Sequence, residues 1–373
     1  MTTEAPLVAA ILPPHEGFGP TRAGAIGMVA RAQARTFGFR CIVFGGPQEA
    51  VFPNVTFRGV RPAFWAPGNV NLRFGAALLL PLWRLRPALI EVHNRPELAL
   101  FLARCLPRHK VVLLLHNDPQ SMRRARSATE RAALLRRLAR VVTVSDYLRR
   151  RLLDGVPDAL PAPAVLPNGI DLAALPPPRP REKLILFVGR IVADKGADAF
   201  AAACAAALPH LPGWRAEMLG ADRFGTGGPD TAFERRTRAL AEAAGVPLLG
   251  YREHPAILEA MARAAIVVVP SRWEEPFGLV ALEAMASGAA LICSRRGGLP
   301  EVAGDAALYA DPEPDALAAA IRKLADDPER RAALGEAGRA RARAFGVQRV
   351  TAQIDLIRND IVKNPSYRRW MPP

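Results

Sequence analysis

The chain of 373 residues has few cysteines, few aromatic residues and no long apolar run. The cysteine usage and the lack of a long apolar run each exclude a class of protein. Cys41, Cys105, Cys204 and Cys293 lie far apart without metal-ligand spacing, so we expect buried free thiols and no zinc site. The most apolar windows, such as 76–82, fall far short of the roughly 20 residues that a membrane-spanning helix needs. The N-terminus lacks the basic start and apolar stretch of a secretory signal. We therefore expect a cytoplasmic protein.

What is present is typical of a globular chain. Half of the residues are hydrophobic and 23% are charged, which excludes an intrinsically disordered protein. The 29 glycines and 35 prolines follow no triplet period, which excludes a collagen-like one. At roughly 100–200 residues per domain, the length predicts two domains.

The net charge of +15 is unevenly distributed along the chain. Residues 1–170 hold 23 basic and 10 acidic groups, whereas residues 171–373 hold 27 and 25. The segment 123–151 carries ten arginines against Glu130 and Asp146. Two interpretations stay open, namely a solvated helix face in an arginine-rich protein and a surface for an anionic partner.

Short apolar runs alternate with longer amphipathic stretches, which predicts an α/β fold with helices on both faces of a parallel sheet. The predicted strands are Leu7–Leu12, Cys41–Phe44, Leu89–Val92, Val111–Leu115, Val141–Val144, Leu184–Val188, Arg215–Leu219, Ile266–Val269 and Ala290–Cys293. In such folds ligands bind beyond the carboxyl ends of the strands. Binding residues are therefore expected in the loops that follow these strands.

Eight prolines between Pro157 and Pro180 predict a linker, because proline donates no backbone hydrogen bond and fixes φ. We predict an N-terminal domain at 1–170 and a C-terminal domain at 171–345, followed at 346–373 by a helix that packs back on the first domain and a tail.

The C-terminal region from Pro314 to about Val362 has helical periodicity. Pro328 and Gly346 divide it into three predicted helices. The chain end from Pro365 onward, with three prolines, is expected to form a loose tail.

The most informative block, residues 269–288, reads as a buried strand, a short loop and a helix that starts near Gly278 and stops at Gly288. Glu275 lies just before this helix, where backbone N–H groups can bind an oxygen-rich anionic ligand. Glu283 lies about one turn inside it. Two carboxylates at these positions can accept hydrogen bonds from the hydroxyls of one ligand, although either alone is equally well explained as a solvated surface charge.

A second block follows the strand Leu184–Val188. Gly189-Arg190 ends that strand, and Lys195-Gly196 precedes the next predicted helix, which places two cations at the mouth of the sheet. The planar guanidinium and the compact ammonium suit a diphosphate. Two surface cations in a loop are the alternative.

With these motifs the sequence resembles glycosyltransferase family 4, whose GT-B fold has two Rossmann-like, doubly wound parallel-sheet domains facing a central cleft. The resemblance covers nearly the whole chain. Its most specific element is the pair Glu275 and Glu283, separated by seven intervening residues, within Pro-Ser-x4-Pro-Phe-Gly-x4-Glu-Ala-Met-Ala-x-Gly. The supporting motifs are Gly189-Arg190, Lys195-Gly196, Pro167-Asn168-Gly169-Ile170-Asp171 and Gly297-Gly298-Leu299-Pro300-Glu301.

The resemblance implies a retaining hexosyltransferase that needs neither a metal ion nor a cofactor. Its donor would be a nucleotide diphosphate sugar, and its acceptor a glycan or lipid-linked sugar. A subgroup resemblance to spore-coat and surface-polysaccharide transferases implies a role in cell-surface polysaccharide or lipopolysaccharide synthesis. This subgroup resemblance lies in the polar segment Glu91–Glu97, which we expect on the acceptor side.

The resemblance also assigns roles to individual residues. Arg190 and Lys195, beside Gly189, would clamp the diphosphate and neutralise the leaving group. Glu283 would bind the ribose hydroxyls. Glu275 would hold hydroxyls of the transferred sugar. It would be assisted by three backbone donors, which are Phe277, Gly278 and Leu279.

In the first half, a Gly-rich stretch at 15–27 follows the first strand and leads into a helix. By analogy with the family, Gly24 would lie near the donor phosphates. His116 follows the strand Val111–Leu115, and the interpretations are a structural histidine or a contact to donor sugar or acceptor. The resemblance favours the second enough to include His116 among the catalytic candidates.

Two alternative functions remain open. One is another GT-B enzyme, such as a nucleotide-sugar epimerase or a phosphorylase. The other is a polyanion-binding protein, but segment 123–151 has Tyr147 as its one aromatic residue for base stacking, so no nucleic-acid partner is expected. We expect instead that arginines of this segment contact anionic membrane lipids, with the enzyme peripheral on the inner face of the cell membrane; these are Arg123, Arg124, Arg136 and Arg137.

Overall fold

The computed structural model describes residues 5–20, 24–36, 38–158, 160–222 and 230–364. The expected tail at 365–373 and residues 21–23 of the Gly-rich stretch lie outside the described residues. The chain divides into two compact units, one of residues 1–169 and 347–373 and the other of residues 170–346.

Seven parallel strands form the sheet of the first unit within the described part of the chain, in the order β3-β2-β1-β4-β5-β6-β7. The strands are β1 (Leu7–Ile11), β2 (Arg40–Gly45), β3 (Thr56–Gly59), β4 (Leu89–His93), β5 (Lys110–Leu115), β6 (Arg140–Thr143) and β7 (Ala164–Val165). The strand order reverses between β1 and β4, where Ile11 is in register with Val92. Ligands of doubly wound sheets bind at such a switch point.

Helices cover both faces of this sheet. They are α1 (Ala25–Ala34), α2 (Val70–Leu85), α3 (Pro96–Cys105), α4 (Ala128–Arg137), α5 (Asp146–Leu153) and the C-terminal α13 (Val347–Lys363). On one face, apolar side chains of α2 and α3 pack on those of β1, β4 and β5. On the other, Val350, Ile354 and Ile361 of α13 pack against Val8 and Leu89.

A buried ion pair also fastens α13 to the first sheet. Arg358, 1% exposed, donates hydrogen bonds of 2.8 Å to both carboxylate oxygens of Glu91, which is 3% exposed. Lys110 Nζ donates to the carbonyl oxygen of Ile361 at 2.5 Å, where α13 ends. The expectation that Glu91 lies on an acceptor surface is therefore wrong, because its carboxylate is buried against Arg358.

Five parallel strands form the second unit's sheet in the described residues, in the order β12-β11-β10-β8-β9. They are β8 (Glu182–Val188), β9 (Arg215–Leu219), β10 (Ala264–Val269), β11 (Ala290–Cys293) and β12 (Ala307–Tyr309). The helices are α6 (Ala197–Ala207), α7 (Ala232–Ala243), α8 (His254–Arg263), α9 (Leu279–Ser287), α10 (Leu299–Ala303), α11 (Pro314–Asp326) and α12 (Pro328–Ala342). The order reverses between β8 and β10, so the loops that follow these two strands flank the switch point.

The structure confirms the predicted α/β fold, the nine predicted strands and the three C-terminal helices α11, α12 and α13. The four cysteines are free, and Cys204 and Cys293 are buried as expected, but the expectation of burial is wrong for Cys105, which is exposed, and for Cys41, which is half-buried. No helix among the described residues is long and apolar enough to cross a membrane.

Candidate active site

The two motif blocks of the second unit lie at the carboxyl ends of neighbouring strands. Gly189 and Arg190 follow β8, and the loop 270–278 follows β10, with Val268 in register with Phe187. The chain folds this way because the apolar runs of β8 and β10 are buried on both faces, while the polar residues after them are left at the sheet edge. Both blocks therefore lie on adjacent loops at the carboxyl edge of one sheet, beside its switch point.

Lys195 and Glu275, predicted to bind two parts of one ligand, contact each other. Lys195 Nζ donates to Glu275 Oε1 at 2.5 Å, and the Lys195 and Glu275 side chains are 25% and 10% exposed. Ser271 Oγ donates to the same oxygen at 2.6 Å. The Lys195 ammonium and the Glu275 carboxylate thus lie in direct contact, and the carboxylate is largely shielded from water.

Backbone contacts hold the two loops together around this pair. The carbonyl oxygen of Asp194 accepts from the N–H groups of Arg272 at 2.9 Å and Trp273 at 3.0 Å. Gly196 lies so close to Pro270 that a Cβ atom would come 2.1 Å from its carbonyl oxygen, and its φ of 68° also favours glycine. The Lys-Gly step therefore permits the close approach that delivers Lys195 to Glu275.

A third loop, after β11, supports the backbone of Glu275. Gly298 N–H donates to the Glu275 carbonyl oxygen at 2.6 Å, and Gly297 N–H donates to Glu274 Oε2 at 2.6 Å. A Cβ atom on Gly297 would lie 2.2 Å from that Glu275 oxygen. The Gly297-Gly298 motif is therefore required for this packing. Its presence among the motifs is explained by this packing, and no contact with a ligand is needed to explain it.

Helix α9 begins at the site with exposed backbone donors. Gly278 is its N-cap residue, and the N–H groups of Phe277, Gly278 and Leu279 have no acceptor among the described residues. The Phe277 ring is buried and packs edge-on against Phe345 at 5.8 Å, so only its backbone faces the site. The helix start thus offers N–H groups and a positive dipole end next to Glu275.

Glu283, five residues into α9, contacts a residue that the sequence prediction missed. Its Oε1 lies 2.7 Å from His254 Nε2, and the Glu283 side chain is 15% exposed. The hydrogen bond to Glu283 raises the pKa of His254, against the opposing effect of burial. His254 starts α8, fifteen residues before the end of β10 at Val269, and no motif marks it.

Arg190 lies at the same sheet edge and is exposed. Its guanidinium has no ion-pair partner among the residues that the structure describes. The site therefore holds one cation paired with a carboxylate, Lys195, and one cation that faces solvent, Arg190.

In the first unit, a carboxylate of the chain itself occupies the N-terminus of α1. Glu16 Oε1 accepts from Gly27 N–H at 3.2 Å, and a Cβ atom on Gly24 would come 2.5 Å from that oxygen. Burial raises the pKa of Glu16, while the hydrogen bond from Gly27 and the charge of Arg95 lower it. Gly24 thus borders an anion site that already holds an anion.

His116 is buried and pairs with a second histidine that the sequence prediction did not single out. His116 Nε2 lies 3.0 Å from His93 Nδ1, and the two rings are nearly parallel. Asn94, in a left-handed conformation with φ 57°, accepts from the N–H groups of His116 and Asn117. The strand-end turns after β4 and β5 are thereby joined.

The surroundings of both imidazoles lower their pKa and so favour the neutral form. Burial and the neighbouring His93 lower the pKa of His116 well below its usual value, and burial with the charge of Arg358 lowers the pKa of His93 to about 3. His93 Nε2 is buried without a hydrogen-bond partner among the described residues. The pair can donate or accept hydrogen bonds, but it does not supply a positive charge. Nor do the described residues contain a group of three His, Cys, Asp or Glu side chains that could hold a metal ion.

Two family models together match most of the chain. The model of glycosyl transferases group 1 matches residues 176–341, and the model of glycosyltransferase family 4 matches residues 26–174. The first match contains every candidate residue of the second unit.

Individual relatives agree with these matches. Spore coat protein SA of Bacillus subtilis (strain 168) is 27% identical over 305 residues, which cover 76% of this chain and 81% of the relative. A D-inositol 3-phosphate glycosyltransferase of Corynebacterium glutamicum (strain R) is 36% identical over 187 residues, covering 49% of this chain and 44% of the relative. The match thus spans less than half the length of that second relative.

Among solved structures, HepE of Anabaena in complex with UDP and glucose has a TM-score of 0.74 at 19% identity. The likeness covers 93% of this chain and 98% of that one. It extends over both units, and at this identity it establishes a shared fold.

Proposed function

We propose that this chain, which belongs to glycosyltransferase family 4 and has the GT-B fold, moves a hexose-type sugar from a nucleotide diphosphate sugar to a glycan or lipid-linked acceptor. The anomeric configuration is retained, no metal ion takes part, and the product contributes to cell-surface polysaccharide or lipopolysaccharide on the cytoplasmic side of the membrane. The complex of HepE with UDP and glucose supports a nucleotide-sugar donor.

The observation that carries the proposal is the contact between Lys195 and Glu275 beside the free N–H groups at the start of α9. A diphosphate needs cations and N–H donors, and a sugar needs hydrogen-bond acceptors. In this site the cation Lys195 and the acceptor Glu275 are joined by one hydrogen bond. Groups this close together fit the junction of the donor, where the diphosphate is bonded to the sugar.

Binding of the donor would break the contact between Lys195 and Glu275, because each residue would then bind a different part of the donor. Lys195 turns its ammonium from Glu275 to the diphosphate, where Arg190 joins it, and Glu275 accepts hydrogen bonds from the sugar hydroxyls. The ribose hydroxyls bind Glu283, whose carboxylate His254 orients. Ser271 keeps the Glu275 carboxylate in place after Lys195 has left it.

In the transfer step, the bond between the anomeric carbon and the diphosphate oxygen breaks, and a bond to the acceptor hydroxyl oxygen forms on the same face. The acceptor proton passes to an oxygen of the leaving diphosphate. The cations Arg190 and Lys195, with the N–H groups of Phe277, Gly278 and Leu279, stabilise the negative charge that grows on this leaving group. No side chain has to act as nucleophile.

The first unit supplies the remaining proposed contacts. His116 would donate or accept a hydrogen bond to the donor sugar or the acceptor as a neutral imidazole, oriented by His93. Gly24 would approach the donor phosphates through its backbone. Because the carboxylate of Glu16 occupies the start of α1, it has to move before a phosphate can bind there.

A membrane contact through arginines of segment 123–151 remains a proposal. Arg123 is 69% exposed and pairs with Glu97 at 3.1 Å, while Arg136 and Arg137 lie in the last turn of α4. Cations there also stabilise the helix end, so their position alone does not imply a lipid partner. Replacing these arginines together by Gln should weaken binding to anionic vesicles; they are Arg123, Arg124, Arg136 and Arg137. Unchanged binding would refute this contact.

The proposed activity is tested by a thermal-shift screen against UDP-, GDP- and ADP-sugars, since a ligand that binds the native state raises its apparent stability. The stabilising donor is then supplied in radiolabelled form with glycan and lipid-linked acceptors. We expect transfer that is lost in Glu283→Ala and kept in Glu242→Ala, whose exposed side chain lies on α7 of the same unit. Release of nucleotide without transfer to any acceptor would contradict a transferase.

A further inference from the structure

A short turn before α2 buries its small residues and exposes its large ones. Ala63 and Ala66 are 8% and 4% exposed, whereas Phe64 and Trp65 between them are 86% and 69% exposed. Aromatic side chains gain the most free energy from leaving water, so this arrangement is the reverse of what a water-facing turn favours. The turn therefore leaves two aromatic rings exposed to solvent at a cost in free energy.

The backbone of this turn is fixed to α2. Ala63 N–H donates to the carbonyl oxygen of Arg73 at 3.0 Å, and the Arg73 guanidinium donates to the carbonyl oxygens of Ala66 at 3.0 Å and Phe64 at 3.2 Å. Arg73 lies on the exposed side of α2. The turn that carries the two exposed rings is thus held against the outer face of that helix.

The outer face of α2 carries further large apolar side chains. Leu80 is 52% and Trp83 is 58% exposed, seven and ten residues after Arg73, which places them on the same side of the helix two to three turns further along. The opposite side buries residues of the core, including Phe74 and Leu78. We call Phe64, Trp65, Leu80 and Trp83 the α2 patch.

The charge around the α2 patch has one sign. Residues 50–90 contain five arginines and no Asp, Glu or Lys. All five arginines are exposed; they are Arg58, Arg61, Arg73, Arg84 and Arg86. A surface designed for water mixes both signs, whereas aromatic rings among cations suit the boundary between anionic headgroups and acyl chains.

We propose that the α2 patch inserts into the headgroup boundary of an anionic lipid bilayer. Phe64, Trp65, Leu80 and Trp83 enter the boundary, and the arginines contact lipid phosphates. This surface differs from segment 123–151, which offers charge alone. The proposal does not depend on the transferase activity, so either can fail without the other.

The test is co-sedimentation of the full chain with vesicles of phosphatidylcholine alone or mixed with phosphatidylglycerol. We expect binding to the mixed vesicles that is weakened about tenfold or more in Trp65→Ser/Trp83→Ser, because each buried ring adds apolar area to the interaction. Phe64→Ser should weaken binding less than the double variant. Leu356→Ser is the matched control, since Leu356 is 70% exposed on α13 of the same unit, and it should bind as the wild type does.

Insertion depth separates the lipid from other partners. Phosphatidylcholine brominated in its acyl chains, mixed with phosphatidylglycerol, should quench tryptophan fluorescence of the wild type and much less that of Trp65→Ser/Trp83→Ser. Because Phe64, Trp65 and Trp83 are all exposed, the variants at these positions should keep the wild-type melting temperature. Equal vesicle binding by wild type and double variant would overturn the proposal. A wild-type dimer in solution that Trp65→Ser/Trp83→Ser converts to monomers, without vesicle binding, would also overturn it.

Discussion

Replacing Lys195 by Ala is the sharpest perturbation of the proposed donor site. It removes the ammonium 2.5 Å from Glu275 Oε1 and, in the proposed reaction, one of two cations on the leaving diphosphate. Losing one preorganised donor to a developing oxyanion typically costs about 3–4 kcal/mol, or a factor of about 10²–10³ in rate. Lys195→Ala should therefore lower kcat/KM for transfer by about that factor.

The same change has a calculable effect on stability. The Glu275 side chain, 10% exposed, keeps the hydrogen bond from Ser271 but loses its cation. Leaving a poorly solvated carboxylate partly unsatisfied costs about 1–3 kcal/mol, which is less than for a fully buried pair because water reaches the Lys195 side of the contact. Lys195→Ala/Glu275→Gln removes that charge, so it should regain stability without regaining activity.

The assay is radiolabelled transfer together with a thermal melt of each variant. Lys183→Ala is the control, because Lys183 is an exposed lysine on β8 of the same sheet and should leave both readings unchanged. If Lys195→Ala transferred sugar within about threefold of the wild-type rate, less than 1 kcal/mol of transition-state stabilisation would be lost, and the clamp role would be refuted.

Three further predictions follow from buried or paired charges. Arg358→Met should destabilise the protein in urea by about 3–5 kcal/mol, because it leaves Glu91 buried without its cation, and Glu91→Gln in the same chain should restore part of the loss. The pKa of His254 is raised by Glu283, so this pair stabilises the fold at low pH and the contribution fades as the pH rises through the folded-state pKa; the difference in Tm between wild type and His254→Asn should be larger near pH 6 than near about pH 9. Glu16→Gln should tighten binding of a nucleoside diphosphate by calorimetry if Gly24 contacts phosphate, since a carboxylate no longer competes for the start of α1, and unchanged affinity would remove Gly24 from the site.

The sequence was most informative where one segment carries its own signals. The apolar run of β10 and the glycines at both ends of α9 predicted a strand, a loop and a helix, and Gly278 and Gly288 cap the helix as expected. β3, β7 and β12 were not predicted, because these short edge strands keep exposed or half-buried residues and lack an apolar run. Pro81 lies inside α2, against its usual preference, and there tertiary packing outweighs local propensity.

Contacts between distant residues could not be predicted from patterns. Glu91 reads as a polar residue at a strand end, and its pairing with Arg358 depends on a helix 267 positions later in the chain. His254 carries no motif, and only the packing of α8 beside α9 brings it to Glu283. The sequence could therefore identify the main candidate residues of the site, but it could not predict the contacts between them in the absence of a ligand, such as those of Lys195 with Glu275 and of His254 with Glu283.

The most direct test of a donor site in the second unit is calorimetric titration of the nucleoside diphosphate selected by the thermal-shift screen. Wild type and Glu242→Ala should bind it with similar affinity, whereas Glu283→Ala should bind at least about tenfold more weakly, since it loses a charged hydrogen-bond acceptor for the ribose. Equal affinity in all three proteins would contradict the account.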